Sequence, residues 1–363
     1  MVMRRKLCLL ASILLFNIGQ AGAETQSMIS NLANPAIGFV ALFRSDVAPK
    51  LDRPYGFSFE GAEISLISVV DPYWTLSSNL VFAPDGVDPE EVYATTSQIP
   101  GIQLKLGKLR ATFGKHGQLH THAFPFVEAP VIMANTIGEE GFKDAGVEAG
   151  WLTPLPWYCE LTAGAYQAVG PDADHPLNLG DTSHGNIPYS GHLKNLLDLT
   201  DETTVELGGS GLSGMGEDGL HHTAWGADLT FRNIPLRQSN QRGWILQCEY
   251  LARGTSGGGL KTTDADGGYA SFQYRWSQTW WTGIRGEYAR NSTTDILEQD
   301  GGLVGQVRKI SADVEWLPSE FSLIRAEYSI AGLNPDDGAK RILDQRVLLQ
   351  MSFTIGFHPP HAY

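Results

Sequence analysis

Three imidazoles stand close together in the stretch Phe113–Phe126, which reads FGKHGQLHTHAFPF: His116, His120 and His122. Neutral imidazole is a ligand for Zn²⁺, Cu²⁺ or Ni²⁺, and a His-x-His in extended chain turns both rings to one side. The three histidines are therefore the candidate ligands of a loop-bound divalent metal. Ordinary loop polarity is the competing reading, and the sequence leaves both open. No other cofactor is indicated. Catalytic signatures are missing: there is no G-x-S-x-G elbow, no H-E-x-x-H pair and no C-x-x-C-H haem motif. The expectation is that the chain is not an enzyme.

What positions these residues is a long series of alternating segments. Near the C-terminus Val347, Leu349, Met351, Phe353, Ile355 and Phe357 share one face, and Arg346, Gln350, Ser352 and Thr354 share the other. Period-two alternation marks a strand with one apolar and one polar face. It recurs at Ile310–Trp316, Ile324–Ile330, Phe272–Trp276 and Trp225–Phe231. A soluble sandwich also alternates. Here, however, the polar faces bring charges of both signs to mid-strand, which suits a wet interior.

About sixteen strands are expected, near 36–44, 56–70, 73–82, 90–97, 102–113, 144–153, 156–168, 190–198, 202–211, 222–232, 242–253, 267–277, 280–290, 306–316, 319–330 and 345–357. Short connections alternate with long Gly/Asp/Asn-rich ones at 114–143, 169–189, 254–266, 291–305 and 331–344. The fold class read from this layout is all-β: a transmembrane antiparallel β-barrel with short periplasmic turns and long extracellular loops. Closure is required, because an open sheet edge in hydrocarbon leaves backbone groups unpaired. Aromatics near strand ends (Tyr73, Trp74, Trp151, Trp157, Tyr158, Trp280, Trp281, Trp316) suit interfacial girdles.

The N-terminus sets the compartment. Arg4, Arg5 and Lys6 precede an apolar run from Leu7 to Gly19, followed by Ala21-Gly22-Ala23. This is the pattern of an export signal cleaved after Ala23. Residues 24–35 are then a short periplasmic segment, and 36–363 a single barrel domain in the outer membrane of a Gram-negative bacterium. The chain carries a net charge of −14, or −17 without the three leader cations. Such acidity argues against a nucleic-acid partner. Cys159 and Cys248 fall on apolar phases of non-neighbouring strands, so no disulfide is expected.

The segment GIQLKLGKLRATFG (101–114) resembles the phosphate-selective porin-like outer-membrane family, whose corresponding strand carries Gly-Lys-x-x-x-x-Phe. DPYWTLSSNLVF (71–82), EEVYATTSQIPG (90–101), HLKNLLDLTDETTVELGGS (192–210) and DVEWLPSEFSLIRAEYS (313–329) are similar to other hairpins of that family. The chain is also similar to barrels labelled zinc-regulated outer-membrane proteins. The resemblance covers essentially the whole mature chain. It implies a porin-like channel for passive diffusion of small hydrophilic solutes or ions. Its partners would be outer-membrane lipid and lipopolysaccharide, the solutes themselves, and further copies of the chain.

Selectivity follows the charges on a pore wall. The cations assigned inward are Lys105, Arg232, Arg253, Arg275, Arg285, Lys309, Arg325 and Arg346. The anions are Glu91, Glu160, Glu206, Asp228, Glu249, Glu287, Asp313, Glu315 and Glu327. Lys108 and Arg110 fall in the opposite phase. A kink near Gly107 is expected to turn them inward or toward a membrane face, because a charge facing lipid at the midplane costs roughly 2–4 kcal/mol. The wall is nearly balanced, so the phosphate specificity of the resembled family does not carry over. Acidic loop residues, among them Asp88, Glu217 and Asp218, give an extracellular mouth that concentrates cations. The longest loop, 114–143, is expected to fold into the barrel and set its constriction. Two other functions stay open: capture or passage of a transition metal, and a scaffold around a cytochrome in an electron conduit.

Overall fold

A computed structural model describes residues 35–47, 56–84, 86–167, 176–180, 186–237, 241–292, 305–336, 338 and 340–356. The export signal, His175, His184, His358 and His361 lie outside the described residues, as do several acidic loop positions such as Asp172 and Asp295.

Sixteen antiparallel strands form one closed sheet. The first half comprises β1 (Ala36–Val47), β2 (Gly56–Val69), β3 (Thr75–Ala83), β4 (Gly86–Ile99), β5 (Ile102–Arg110), β6 (Lys143–Leu152), β7 (Tyr158–Tyr166) and β8 (Tyr189–Thr200). The second half comprises β9 (Thr203–Met215), β10 (His221–Asn233), β11 (Gly243–Gly257), β12 (Leu260–Arg275), β13 (Trp280–Ser292), β14 (Gly305–Ser319), β15 (Ser322–Pro335) and β16 (Ile342–Gly356). Every strand pairs with its sequence neighbours, and β1 closes on β16 from Gly38↔Gly356 to Val47↔Val347. All strand edges are thereby satisfied, the condition for a sheet to sit in hydrocarbon.

The sheet is apolar outside and polar inside. Ile310 is 62% exposed, while its neighbour Ser311 is fully buried. Ile284 (53%) and Arg285 (1%) repeat the contrast on β13. A soluble sandwich would show the reverse. Trp151, Trp157, Trp280 and Trp316 are exposed near the short-turn end, where the Trp280 and Trp316 rings stack at 6.0 Å.

The strands extend further than their amphipathic pattern at the end that carries the long connections. Residues 254–266, expected as a loop, are mostly strand. β11 and β12 pair out to Gly257↔Leu260, after a register shift at Arg253/Gly254. Gly257, Gly258 and Gly259 all have positive φ there (143°, 58° and 88°), which allows a turn far tighter than the expected loop. His192 lies within β8, in the strand expected at 190–198, buried, with its Nδ1 2.8 Å from Ser210 Oγ. The Cys159 and Cys248 thiols are free.

One connection dominates the interior. Between β5 and β6 the chain from Ala111 to Phe142 carries two 3₁₀ turns (His116–Gln118 and Thr121–Ala123) and one short helix, α1 (Val131–Thr136). The helix rests against β11, β12 and β13, inside the barrel. Phe113, Ile132, Met133, Ile137 and Phe142 form an apolar core there with Leu109, Leu212 and Leu251. A barrel of this size is wide enough for a water-filled lumen. Here the loop supplies the side chains that fill much of it.

Candidate functional site

The site is the contact between this inserted loop and the lumenal wall. Backbone inside a lumen must find hydrogen-bond partners, and the wall charges supply them. Glu148 accepts from the Thr112 N–H (2.7 Å) and hydroxyl (3.1 Å). Glu249 accepts from the N–H groups of Lys115 (2.9 Å) and His116 (3.2 Å), and from the Tyr269 hydroxyl (2.8 Å). Glu327 accepts from Val127 N–H and Glu287 from Val131 N–H, both at 2.7 Å. In the opposite sense Arg325 donates to Phe124 C=O and Arg285 to Glu128 C=O, both at 2.9 Å. The Arg285 guanidinium also lies over the Phe126 ring, 4.6 Å from its centre.

At the tip of the insertion, the Glu128 carboxylate meets three cations: Lys309 at 2.5 Å, and Arg44 and Arg346 at 2.9 Å each. Burial pushes the Glu128 carboxyl up, but Lys309, Arg346 and Arg44 outweigh it and hold it well below the usual carboxylate range. Beside this contact, a polar cavity of about 760 Å³ runs between the loop and the wall. Its lining includes Arg44, Asp46, Glu60, Asp88, Glu140 and Lys143.

The residues assigned inward from sequence divide by what they touch. Glu249, Arg285, Glu287, Arg325 and Glu327 hold the loop backbone, and Lys309 and Arg346 hold Glu128, as above. Glu206 pairs with Lys115 of the loop (2.9 Å) and Lys194 (3.3 Å). Glu315 pairs with Arg325 at 2.5 Å, with Asp313 3.8 Å from the same guanidinium. Asp228 is buried beside Gly208. Arg253 reaches Pro176 C=O at 2.7 Å. Toward the short-turn end, Glu160 accepts from the Tyr158 hydroxyl (2.5 Å), Arg275 caps the carbonyls of Ser277 and Gln278, Lys105 stands 5.6 Å over Tyr93, and Arg232 is half-buried.

Of the two places expected for Lys108, inward or toward a membrane face, the structure gives the second. Gly107 does adopt φ 142°, where a side chain would lie 2.2 Å from Val92 O. Pairing nevertheless runs on unshifted as Tyr93↔Gly107 and Val92↔Lys108. Lys108 therefore keeps the outward phase of exposed Leu106 and pairs with Asp88 at 3.2 Å near the strand end. Arg110, two residues on, is buried among loop atoms and donates to the carbonyls of Leu119 and Glu140.

The three loop histidines separate. His116 packs its ring 4.3 Å from that of Phe124, and its Nε2 finds no hydrogen-bond partner among the described residues. Burial, and then the charges of Arg285 and Arg110, hold its pKa well below the ordinary value. His120 and His122 instead stack with each other at 5.6 Å and face the wall. His120 Nδ1 lies 3.1 Å from Glu90 and 3.5 Å from Glu63, its Nε2 lies 3.1 Å from Glu91, and His122 Nδ1 lies 3.1 Å from Glu63. Burial and the Arg110 charge push the His120 ring down, but Glu90, Glu91 and Glu63 outweigh them and hold its pKa up at about 9.

Sequence reading missed Glu63, Glu90, Glu128, Arg44 and Lys115. Glu63 carried a signal, since it alternates with outward Ile64 and Leu66 on β2. Glu90 sits where the β3–β4 register shifts, which breaks the alternation that would have flagged it.

No family model matches the chain. A protein of Aquifex aeolicus (strain VF5), described as uncharacterized, is 27% identical over 344 residues, covering 86% of this chain and 71% of that protein. Among solved structures, OprB of Pseudomonas putida superposes with a TM-score of 0.61 at 8% identity, covering 89% of this chain and 94% of that one. The outer membrane channel DcaP of Acinetobacter baumannii gives 0.58 at 11%, with 89% and 96% covered. The trimer form of OmpT, an outer membrane protein of Vibrio cholerae, gives 0.56 at 11%, with 88% and 99% covered. The fold is that of an outer-membrane barrel. At these identities the likeness establishes architecture, and the inserted loop has to speak for function.

Proposed function

We propose that the chain is an outer-membrane channel of a Gram-negative bacterium, for passive diffusion of small hydrophilic solutes or ions, with the loop 111–142 setting its constriction. One observation carries the reading: wall carboxylates and arginines bind the loop backbone across the lumen, yet a polar cavity stays open beside Glu128. A charged, wet space is what a permeating hydrophilic solute needs.

The wall's charges are largely matched to the loop or to each other, so specificity for phosphate is not part of the proposal. Glu217 and Asp218 are exposed at the end that carries the long connections, which supports an acidic, cation-concentrating mouth on the extracellular side. Reversal potentials of the purified protein in a planar bilayer across a KCl gradient test this. Cation preference is expected. Strong anion preference would overturn the acidic mouth, and failure to conduct any ion would overturn the channel.

A further inference from the structure

Glu63, Glu90, His120 and His122 bring the inserted loop against the wall beside the contact that Arg110 makes with the Leu119 carbonyl. Two ligand candidates come from the loop, and two from the wall strands β2 and β4. We propose that these four side chains bind one divalent first-row transition metal ion, which pins the inserted loop to the barrel wall.

The donors of Glu63, Glu90 and His120 converge on a common centre, and His122 stands at its edge beside Glu63. Oxygen and nitrogen donors at about 2.0–2.2 Å from a tetrahedral ion stand roughly 3.4 Å apart. The observed separations are 3.1 Å (His120 to Glu90), 3.5 Å (His120 to Glu63) and 3.1 Å (His122 to Glu63). The donor atoms of Glu63, Glu90 and His120 lie within 4.8 Å of one another.

A second observation concerns the other nitrogen of His120. Its Nε2 faces Glu91 at 3.1 Å, and Glu91 is itself held by the Arg110 N–H at 3.0 Å. A carboxylate behind a histidine is the usual support of a metal-ligating ring, because it fixes the proton on the far nitrogen and leaves the near one as donor. The Glu90 and Glu63 oxygens converge on the Nδ1 side of the ring, where a proton and the Arg110 guanidinium sit without the ion and where the ion would take their place.

Charge agrees. Glu63, Glu90, Glu91 and Glu140 stand against Arg110 and Lys143, which leaves two negative charges when both imidazoles are neutral. That is the charge of one divalent ion. Two imidazoles and two carboxylates favour a zinc-type ion over Ca²⁺ or Mg²⁺, which prefer all-oxygen shells. Arg110 Nη2 lies 3.1 Å from His120 Nδ1 and must swing off as the ion enters, while Nη1 keeps the carbonyls of Leu119 and Glu140.

The test is calorimetric titration of Zn²⁺ into the chelator-stripped, folded barrel in detergent, with hydrogen exchange followed across 116–124. One Zn²⁺ per chain is expected, with slower exchange of that segment. Glu63→Gln, which keeps size and shape, and His122→Ala are expected to abolish tight binding. Glu91→Gln is expected to weaken it roughly 10–100-fold. His222→Ala, beside Asp218 at the rim, is expected to change nothing. Retention of the wild-type mobility difference between unheated and heated samples on gels confirms that each variant folds. Absence of stoichiometric binding overturns the site, as does binding indifferent to Glu63→Gln or lost in His222→Ala. Binding without slower exchange overturns the pinning. None of these readouts involves solute flux, so they succeed or fail separately from the channel.

Discussion

The Glu128 carboxylate lies 2.5 Å from the Lys309 ammonium, across 181 residues of sequence. With Arg44 and Arg346 completing the cradle, this pair fixes the far end of the inserted loop on β1, β14 and β16. Removing one partner of a buried charge set leaves the others uncompensated. Glu128→Gln is expected to destabilise the loop by about 3 kcal/mol, the lower end of the range for such deletions, because lumenal water screens part of the exposed charge. The measurement is the urea midpoint of the folded barrel together with single-channel current. Noisier, larger openings with more anion passage are expected; a wild-type current trace would contradict the role given to Glu128.

The pH dependence follows from the same contact. Glu128 is held below the usual carboxylate range in the folded protein, so its contribution is fully present above its ordinary value of about 4.3 and fades as pH falls through the folded value. The difference between wild type and Glu128→Gln should therefore be constant from about pH 8 down to about pH 5, and shrink only at more acidic pH. A difference that vanished near neutrality would contradict the assignment.

Gly114 enters the lumen with φ 63°, and a side chain there would stand 2.1 Å from Glu249 Oε1. Gly114→Ala combines left-handed backbone strain with displacement of the carboxylate that holds Lys115 and His116. A cost of roughly 1–3 kcal/mol is expected. Exchange of the Lys115 and His116 amides should speed up well before the barrel unfolds; unchanged protection would show that Glu249 does not anchor the loop.

The two faces of β13 make opposite predictions at adjacent positions. Ile284 faces outward and Arg285 inward. Ile284→Arg is expected to cost roughly 2–4 kcal/mol if the position lies near the midplane, read as reduced folding efficiency into lipid vesicles. Equal efficiency in vesicles would place that face away from lipid.

The barrel was legible in sequence because its outside is apolar and its inside polar, so each strand advertises both faces. Legibility failed where that contrast fades. Residues 260–266 carry polar side chains such as Lys261, Thr262 and Asp264 in place of an apolar stripe, so β12 begins earlier than its pattern shows. The loop's insertion was suggested by its length, but its partners were hidden. Glu327 meets Val127 across 200 residues, and no local pattern encodes such a pairing. The histidines were visible as a group of three, while only the fold could separate His116, buried against Phe124, from His120 and His122 on the wall.

The central claim is that the loop between β5 and β6 sets the constriction of a conducting barrel. Its most direct test replaces residues 116–135 with a short Gly-Ser linker and compares single-channel conductance with wild type in the same bilayer. A clear rise in conductance is expected from a barrel that still folds. Unchanged conductance in a folded barrel would contradict it.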